Sequence, residues 1–374
     1  MRGLLVWAQS ACRSQMALYR ELGKTFGVPV EVAVWFYKKD KAYVDNRNAV
    51  GFCDDEFSDM IVIPVGEDIA KGMSVLNAHP GWTHLCCNYQ GSEVFRLVQL
   101  EAHRRGEKTA VGSESPCNMF NGWRRWAKEV YFRTILPQRL REVISVSSFF
   151  VNYSGDDDHL TKIVGWPKEK IIPFGYFPPP ILGTRCMERK GNKPFEILAT
   201  GELTWHRGSD VLVRALSILK KRGVPFHATI TQKGPLLERL KNRAVAEDLP
   251  IDFTGFLPLS ELNQLYETCS VYVGAGRHEP WGMRLNDALN CGAPLVVSRG
   301  MGGVKMVDDY GCGLSFGNED AEDLARQLER LATDDDLYKG CASRAVKCAQ
   351  MCSPEKKALE LAAIIKERFP IWAK

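Results

Sequence analysis

The stretch RHEPWGMRLNDALNCGAPLVVS, Arg277 to Ser298, decides how this chain is read. It sets Glu279 and Asp287 on either side of a Pro280-Trp281-Gly282 turn that opens a helix. The helix closes over Asn290 to Gly292, and Pro294 begins a buried apolar strand, Leu295 to Ser298. If every position between the two acids is helical, they stand about 12 Å apart along the axis, at roughly 1.5 Å per residue. An ionised carboxylate only accepts hydrogen bonds, so such a pair suits a ligand rich in hydroxyls. The helix start between them offers unpaired N–H groups and positive dipole, which suits a phosphate. The plainer reading of each acid is that it complements the helix dipole.

Hydroxyls at both ends with a diphosphate between them is the layout of a nucleotide-activated sugar. The order acid, Pro, aromatic, Gly, acid, small residue, Cys-Gly, Pro, apolar strand resembles the E-x7-E signature of retaining GT-B glycosyltransferases, in particular glycosyltransferase family 4. The resemblance runs from about Phe195 to Ala332, with a weaker echo in the first half. It implies an α/β chain of GT-B architecture, two Rossmann-like domains with parallel sheets facing across a cleft that closes during reaction. It further implies a nucleotide-diphospho-sugar bound by the C-terminal domain and an acceptor, a saccharide or lipid-linked saccharide, bound by the N-terminal one. Transfer would retain the anomeric configuration and need no metal and no cofactor. By the same resemblance Glu279 holds the donor sugar, Asp287 the ribose, and Arg207 with the amides of Gly282, Met283 and Arg284 neutralises the diphosphate. In place of the usual second Glu this chain has Asp287, one methylene shorter.

Composition sets bounds on this reading. With 374 residues, 45% apolar and 25% charged, the chain has the make-up of a soluble two-domain protein. No apolar run reaches the 18 or so residues that span a bilayer. The apolar run Gly3–Ala8 is too short for a signal-peptide core and reads as a first buried strand. Twelve cysteines without any C-x-x-C read as small apolar fillers in a reducing cytoplasm rather than disulfides or a metal site. The net charge of +4 is too mild for nucleic-acid binding.

Apolar runs alternate with amphipathic stretches. Strands are predicted at Leu4–Ala8, Val30–Phe36, Met60–Val65, His84–Asn88, Thr109–Gly112, Val143–Phe149 and Lys170–Pro173. The pattern restarts with strands at Ile197–Thr200, His227–Thr231, Ile251–Thr254, Val271–Val273 and Leu295–Val297. Continuous apolar strands between helices predict parallel sheets covered on both faces. The expected domains are residues 1–175 and 195–353, joined by a Pro-rich linker at 176–194, with a C-terminal helix at 354–374 packing back on the first domain.

The second informative segment is GELTWHRGSDVLVRAL, from Gly201, in which Ser209 or Asp210 reads as the N-cap of a helix. It resembles the family's G-R-L-x-x-x-K-G, with Arg207 at the position of the phosphate-binding Lys. Guanidinium also grips phosphate. Glu202 stands where the family has Arg, and a carboxylate there repels phosphate. Arg284 is the candidate to compensate, with Arg277 and Arg299 behind it; its other reading is an ion pair with Asp287. Lys233-Gly234-Pro235 falls where the family has a G-x-G-P turn and is expected near the nucleotide, and Gly255-Phe256 borders the base unless the aromatic is core. Gly302-Gly303 resembles the family's Gly-Gly turn beside the donor, or is an ordinary turn.

In the first half, the loop Ser10-Ala11-Cys12-Arg13 after the first strand stands where relatives carry a Gly-rich loop. Glu114 follows the strand at Thr109, near where many relatives carry a His, and by that resemblance faces the active site; its plainer reading is a solvated loop acid. The segment 120–141 holds six basic residues, one acid, and interleaved Trp123, Trp126, Tyr131 and Phe132. It reads as one helix, Trp123–Leu140, that is either a peripheral contact with an anionic membrane or an amphipathic helix with a core face. Asp156, Asp157 and Asp158 read as helix-capping acids rather than metal ligands. The expected setting is cytoplasmic, at the inner membrane face, in surface polysaccharide or glycolipid assembly. Competing readings are a GT-B nucleotide-sugar epimerase, polysaccharide chain extension, and a non-catalytic sugar-nucleotide binding protein.

Overall fold

Strands that are apolar on both faces need cover on both sides, and the computed structural model shows two sheets built this way. It describes residues 1–35, 57–87, 92–155, 158–180 and 194–373. Phe36, Asn88, Asp156, Asp157 and the linker residues 181–193 lie outside the described residues. The chain divides into two compact units: Met1–Asn118, Gly122–Pro179 and Ser353–Lys374 in one, Met119–Asn121 and Pro180–Cys352 in the other.

The first unit contains strands β1 (Leu4–Ala8), β2 (Val30–Val34), β3 (Ile61–Pro64), β4 (Thr83–Cys87), β5 (Thr109–Ser113), β6 (Phe150–Asn152) and β7 (Ile171–Pro173). They form one sheet in the order β3-β2-β1-β4-β5-β6-β7, every pair parallel. Its helices are α1 (Arg13–Phe26), α2 (Ile69–Ala78), α3 (Glu93–Arg104), α4 (Gly122–Thr134) and α5 (Leu136–Val146). β1 is wholly buried, and Trp7 on it packs edge-on against Phe95 of α3. His84 on β4 is also fully buried: it accepts from the Trp7 indole at 3.2 Å and meets Glu107 at 3.0 Å. That polar triad belongs to the core.

Two predicted elements are corrected here. Val143–Phe149 is not a strand: Leu136, Leu140 and Val143 are the buried face of α5, and the strand starts at Phe150. A short β-branched run carries no periodicity that tells a helix face from a strand. The single helix over Trp123–Leu140 is two helices, broken at Ile135 before Pro137, which occupies a first-turn position of α5.

The second unit holds β8 (Phe195–Ala199), β9 (Phe226–Thr231), β10 (Ile251–Gly255), β11 (Val271–Gly274), β12 (Leu295–Ser298) and β13 (Gly313–Phe316). Their order is β10-β9-β8-β11-β12-β13, all parallel. This is the doubly wound order, which reverses direction between β8 and β11, and ligands of such sheets bind outside the strand C-termini at that reversal. The covering helices are α6 (Ser209–Lys221), α7 (Leu237–Ala246), α8 (Leu259–Thr268), α9 (Arg284–Asn290), α10 (Val304–Tyr310), α11 (Ala321–Thr333) and α12 (Asp335–Met351). Valines, leucines and alanines of α6 and α11 fill the core beneath β8, β9 and β11.

After α12 the chain returns to the first unit as α13 (Pro354–Arg368) and α14 (Pro370–Ala373). Ser353 caps α13 by accepting from the Lys356 amide, and Pro354 holds its first position. Phe369 and Trp372 then pack on Phe149, with ring centroids 4.9 and 4.8 Å away. Among the described residues, no helix is long and apolar enough to cross a membrane.

Candidate functional site

At the switch point of the second sheet, the residues leaving β8 and β11 line a pocket. Ala199, Thr200 and Gly201 form one wall, and Tyr272 to Gly276 form another. Arg207, Ser209, Glu279 and the segment Gly282–Leu285 complete it. Thus Gly201, Arg207, Glu279, Gly282, Met283 and Arg284 converge from two separate stretches of sequence, and Glu202 joins them in the lining.

Glu279 is held by its backbone. Its N–H donates to Gly300 at 3.1 Å and its carbonyl accepts from Gly302 at 3.0 Å. Gly303 then donates to the Trp281 carbonyl at 2.9 Å, and a Cβ at Gly303 would stand 2.6 Å from that oxygen. The Gly302-Gly303 turn therefore makes its close approach to the loop carrying Glu279, which it fixes in place. Trp281 is buried and donates to Asn286 at 3.1 Å, pinning the other end of the loop to α9.

The Glu279 side chain is only 12% exposed and receives a hydrogen bond from Arg207. Burial pushes its carboxyl above the ordinary glutamate value, against the opposing pull of Arg207 and Arg284. Arg284 is half-buried and hydrogen-bonded to Tyr266. Burial works against its charge, but the Tyr266 and Tyr272 oxygens and Asp287 outweigh that and keep it a cation. Those two tyrosine hydroxyls both meet Thr200 Oγ1, each at 3.0 Å. Two guanidinium groups thus stand beside one buried carboxylate.

Several expectations change with the geometry. α9 starts at Arg284, so Glu279 to Met283 are loop and Asp287 lies in the first turn rather than two turns inside. Seven residues make a small dipole, so α9 contributes less to an anion than its sequence suggests. The N-cap of α6 is Gly208, which leaves Ser209 and Asp210 inside the first turn. Arg277 is not a spare cation: it is 3% exposed, grips Asp210 through two bonds of 2.7 Å, and also binds Glu319. Arg299 is engaged as well, donating to Ser315 at 2.8 Å and pairing with Asp308.

Other candidates lie outside the pocket lining. Lys233 flanks Gly255, whose added Cβ would stand 3.5 Å from the lysine Cε, and Phe256 is exposed. Asp287 is absent from the pocket lining, and its charge opposes the ionisation of Tyr266 and of the wall residue Tyr272. In the first unit, Ser10, Ala11, Cys12 and Arg13 follow β1, and Arg13 donates to Pro179 at 2.9 Å. Glu114 follows β5, and its charge reaches Cys12 and Tyr176. The two loops therefore share the C-terminal edge of the first sheet. Asp158 binds Lys162 at 2.7 Å. Sequence reasoning missed Ser209 as a pocket residue, and the Thr200–Tyr266–Tyr272 hydroxyl group entirely.

Residues 186–347 match the family described as glycosyl transferases group 1. A GDP-mannose-dependent α-(1-6)-phosphatidylinositol dimannoside mannosyltransferase of Mycobacterium tuberculosis is 37% identical over 109 residues, 28% of either chain. Mannosylfructose-phosphate synthase of Agrobacterium fabrum is 29% identical over 185 residues, 45% of this chain and 40% of that one. The chain thus matches less than half the length of these curated relatives. The crystal structure of Anabaena HepE in complex with UDP superposes with a TM-score of 0.71 at 14% identity, covering 98% of this chain and 100% of that one. The fold is GT-B, and the matches support a glycosyltransferase family.

Proposed function

We propose that this protein transfers a sugar from a nucleotide-diphospho-sugar to an acceptor hydroxyl, with retention of anomeric configuration and without a metal. The observation that carries the proposal is the pocket at the β8/β11 switch point, where Arg207 and Arg284 flank the buried Glu279. In this reading Glu279 accepts hydrogen bonds from donor-sugar hydroxyls, Asp287 is assigned to the ribose, and Lys233, Gly255 and Phe256 are assigned to the nucleotide. As the bond from the anomeric carbon to the diphosphate breaks, negative charge builds on the leaving oxygen. Two fixed guanidinium groups stabilise that charge, the role a metal plays elsewhere, and such preorganised electrostatics are the largest usual source of rate. Arg284 supplies the cation that Glu202 does not. Glu114 and the Ser10–Arg13 loop are assigned to the acceptor, a saccharide or lipid-linked saccharide. Two of the relatives are described as a GDP-mannose-dependent mannosyltransferase and a mannosylfructose-phosphate synthase, which favours a role in glycoconjugate assembly.

We also assign α4 as the contact with an anionic membrane, placing the protein at an inner membrane face; co-sedimentation with anionic vesicles tests it.

The test of the activity is to offer the protein a panel of UDP- and GDP-linked sugars, with and without candidate acceptors and chelator. Nucleoside diphosphate release that depends on acceptor, survives chelation and yields a product of unchanged anomeric configuration by NMR is expected. Binding without release, or an epimerised nucleotide sugar, would overturn the proposal.

A further inference from the structure

The start of α6 carries a polar group that the fold itself does not use. Gly208 precedes this thirteen-residue helix with φ +71°, and a Cβ there would stand 1.8 Å from the Ala275 carbonyl oxygen. The close approach permitted by glycine presses the first turn against the end of β11 and fixes its position. Gly208 has no side chain to cap the helix; its carbonyl accepts from the Val211 and Leu212 amides at 2.9 and 3.2 Å, and the Ser209 amide precedes the first intrahelical bond. Asp210, the acid of that turn, is turned onto Arg277 and bound there bidentately, so its charge is already matched. What remains is Ser209. It is 7% exposed, it lines the pocket with Arg207, Glu279 and Arg284, and its hydroxyl oxygen has no hydrogen-bond partner among the described residues. Buried hydroxyls are rarely left this way, because they give up water without return.

We propose that the Ser209 hydroxyl and amide bind a phosphate oxygen of the donor's diphosphate. The assignment rests on the nucleotide-sugar reading above and adds a residue to it. An anion rather than a neutral hydroxyl is the fitting partner, because the positive end of α6 and the Arg207 guanidinium lie on the same wall. The hydroxyl donates to the phosphate oxygen, and no proton is transferred. Because Ser209 sits on a helix clamped at both Gly208 and Asp210, it fixes where the diphosphate rests against Arg207. It is a binding and positioning residue.

Calorimetric titration of the wild type and Ser209→Ala with UDP, GDP, uridine, guanosine and inorganic pyrophosphate tests this. Affinity for whichever diphosphate the wild type binds should fall about tenfold, the weight of one hydrogen bond to a charged group. Affinity for the matching nucleoside should not change. The unliganded variant should unfold at the same temperature as wild type or higher, since it loses an unsatisfied hydroxyl; a serine that merely supported the helix would lower it. Unchanged diphosphate affinity, an equal loss for nucleoside and diphosphate, or a fall in unfolding temperature each overturns the Ser209 assignment alone. A wild type that binds neither diphosphate nor pyrophosphate overturns the nucleotide-sugar reading, and Ser209 with it.

Discussion

Glu279 carries two opposed demands. A sugar site needs it ionised, while burial raises its pKa and favours the neutral form, with Arg207 and Arg284 only partly offsetting that. A carboxyl whose folded-state pKa is raised binds its proton more tightly in the folded chain. It therefore favours folding below the unfolded glutamate value, and that contribution is lost as pH rises through the folded value. Above that folded value the ionised Glu279 costs stability, which binding sites commonly accept. Glu279→Gln keeps the shape and removes the charge, and Arg207, 41% exposed, stays solvated when its partner goes. The variant should unfold at the same or a higher temperature than wild type at pH 7. That gain should vanish as pH falls below about 4, where wild-type Glu279 is protonated in both states. Sugar transfer should drop at least ~100-fold. Melting curves across pH with initial rates check both; a destabilised but active variant would refute the assignment. Glu279 and Arg207 could be named as candidates because their segments resemble the family's motifs, and both line one pocket. Arg277 was misread as a spare cation because its partners Asp210 and Glu319 are 67 and 42 positions away, and nothing local marks such pairs.

At the scale of elements, α4 departs from an ordinary amphipathic helix. Trp123 and Trp126 are 75% and 71% exposed, and Val130, at helical spacing on the same side, is exposed too. Arg124 lies over the Trp123 ring, and Arg125 and Arg133 are exposed nearby. Of its residues only Phe132 is buried. Indoles ringed by cations match the interface of an anionic bilayer, where rings enter the headgroup layer and each basic residue near the surface adds about 1 kcal/mol. Replacing Trp123 and Trp126 together with Ala should leave the unfolding temperature unchanged and weaken binding to phosphatidylglycerol-containing vesicles about tenfold or more. Equal binding by the double variant, or equal binding to purely zwitterionic vesicles, would remove the membrane role. The sequence offered the membrane face and the core face as alternatives for one helix. The structure gives exposure to α4 and the core face to α5, divided where Pro137 starts a new helix. The C-terminal helix expected at 354–374 was legible at its start, Pro354, and ends earlier, at Arg368, before the short α14. The Val143–Phe149 error arose where β-branched residues face a helix interior, a choice made by packing rather than by local preference.

For the whole molecule, the sequence pattern showed a restart at Phe195 and hence two doubly wound sheets. It could not show how the last residues stabilise the first. α13 packs along α1, and Trp372 closes that end of the unit with its ring on Phe149 and against Phe26, 6.2 Å between centroids. Trp372 is 3% exposed, so its removal opens a cavity that neighbouring aromatic rings fill poorly. Trp372→Ala should cost about 3–5 kcal/mol, the range for large aromatics cut from a core. The loss should be local, because each unit has its own hydrophobic clusters. Hydrogen exchange by mass spectrometry should show protection falling in α1, β1 and β6 while β8, β11 and α6 keep theirs. Nucleotide binding by the second unit should then persist in a variant whose first unit is weakened. If exchange instead rose equally in both sheets, the chain would unfold as one cooperative body, and the C-terminal helices would be closing the whole molecule rather than completing the unit on which they lie.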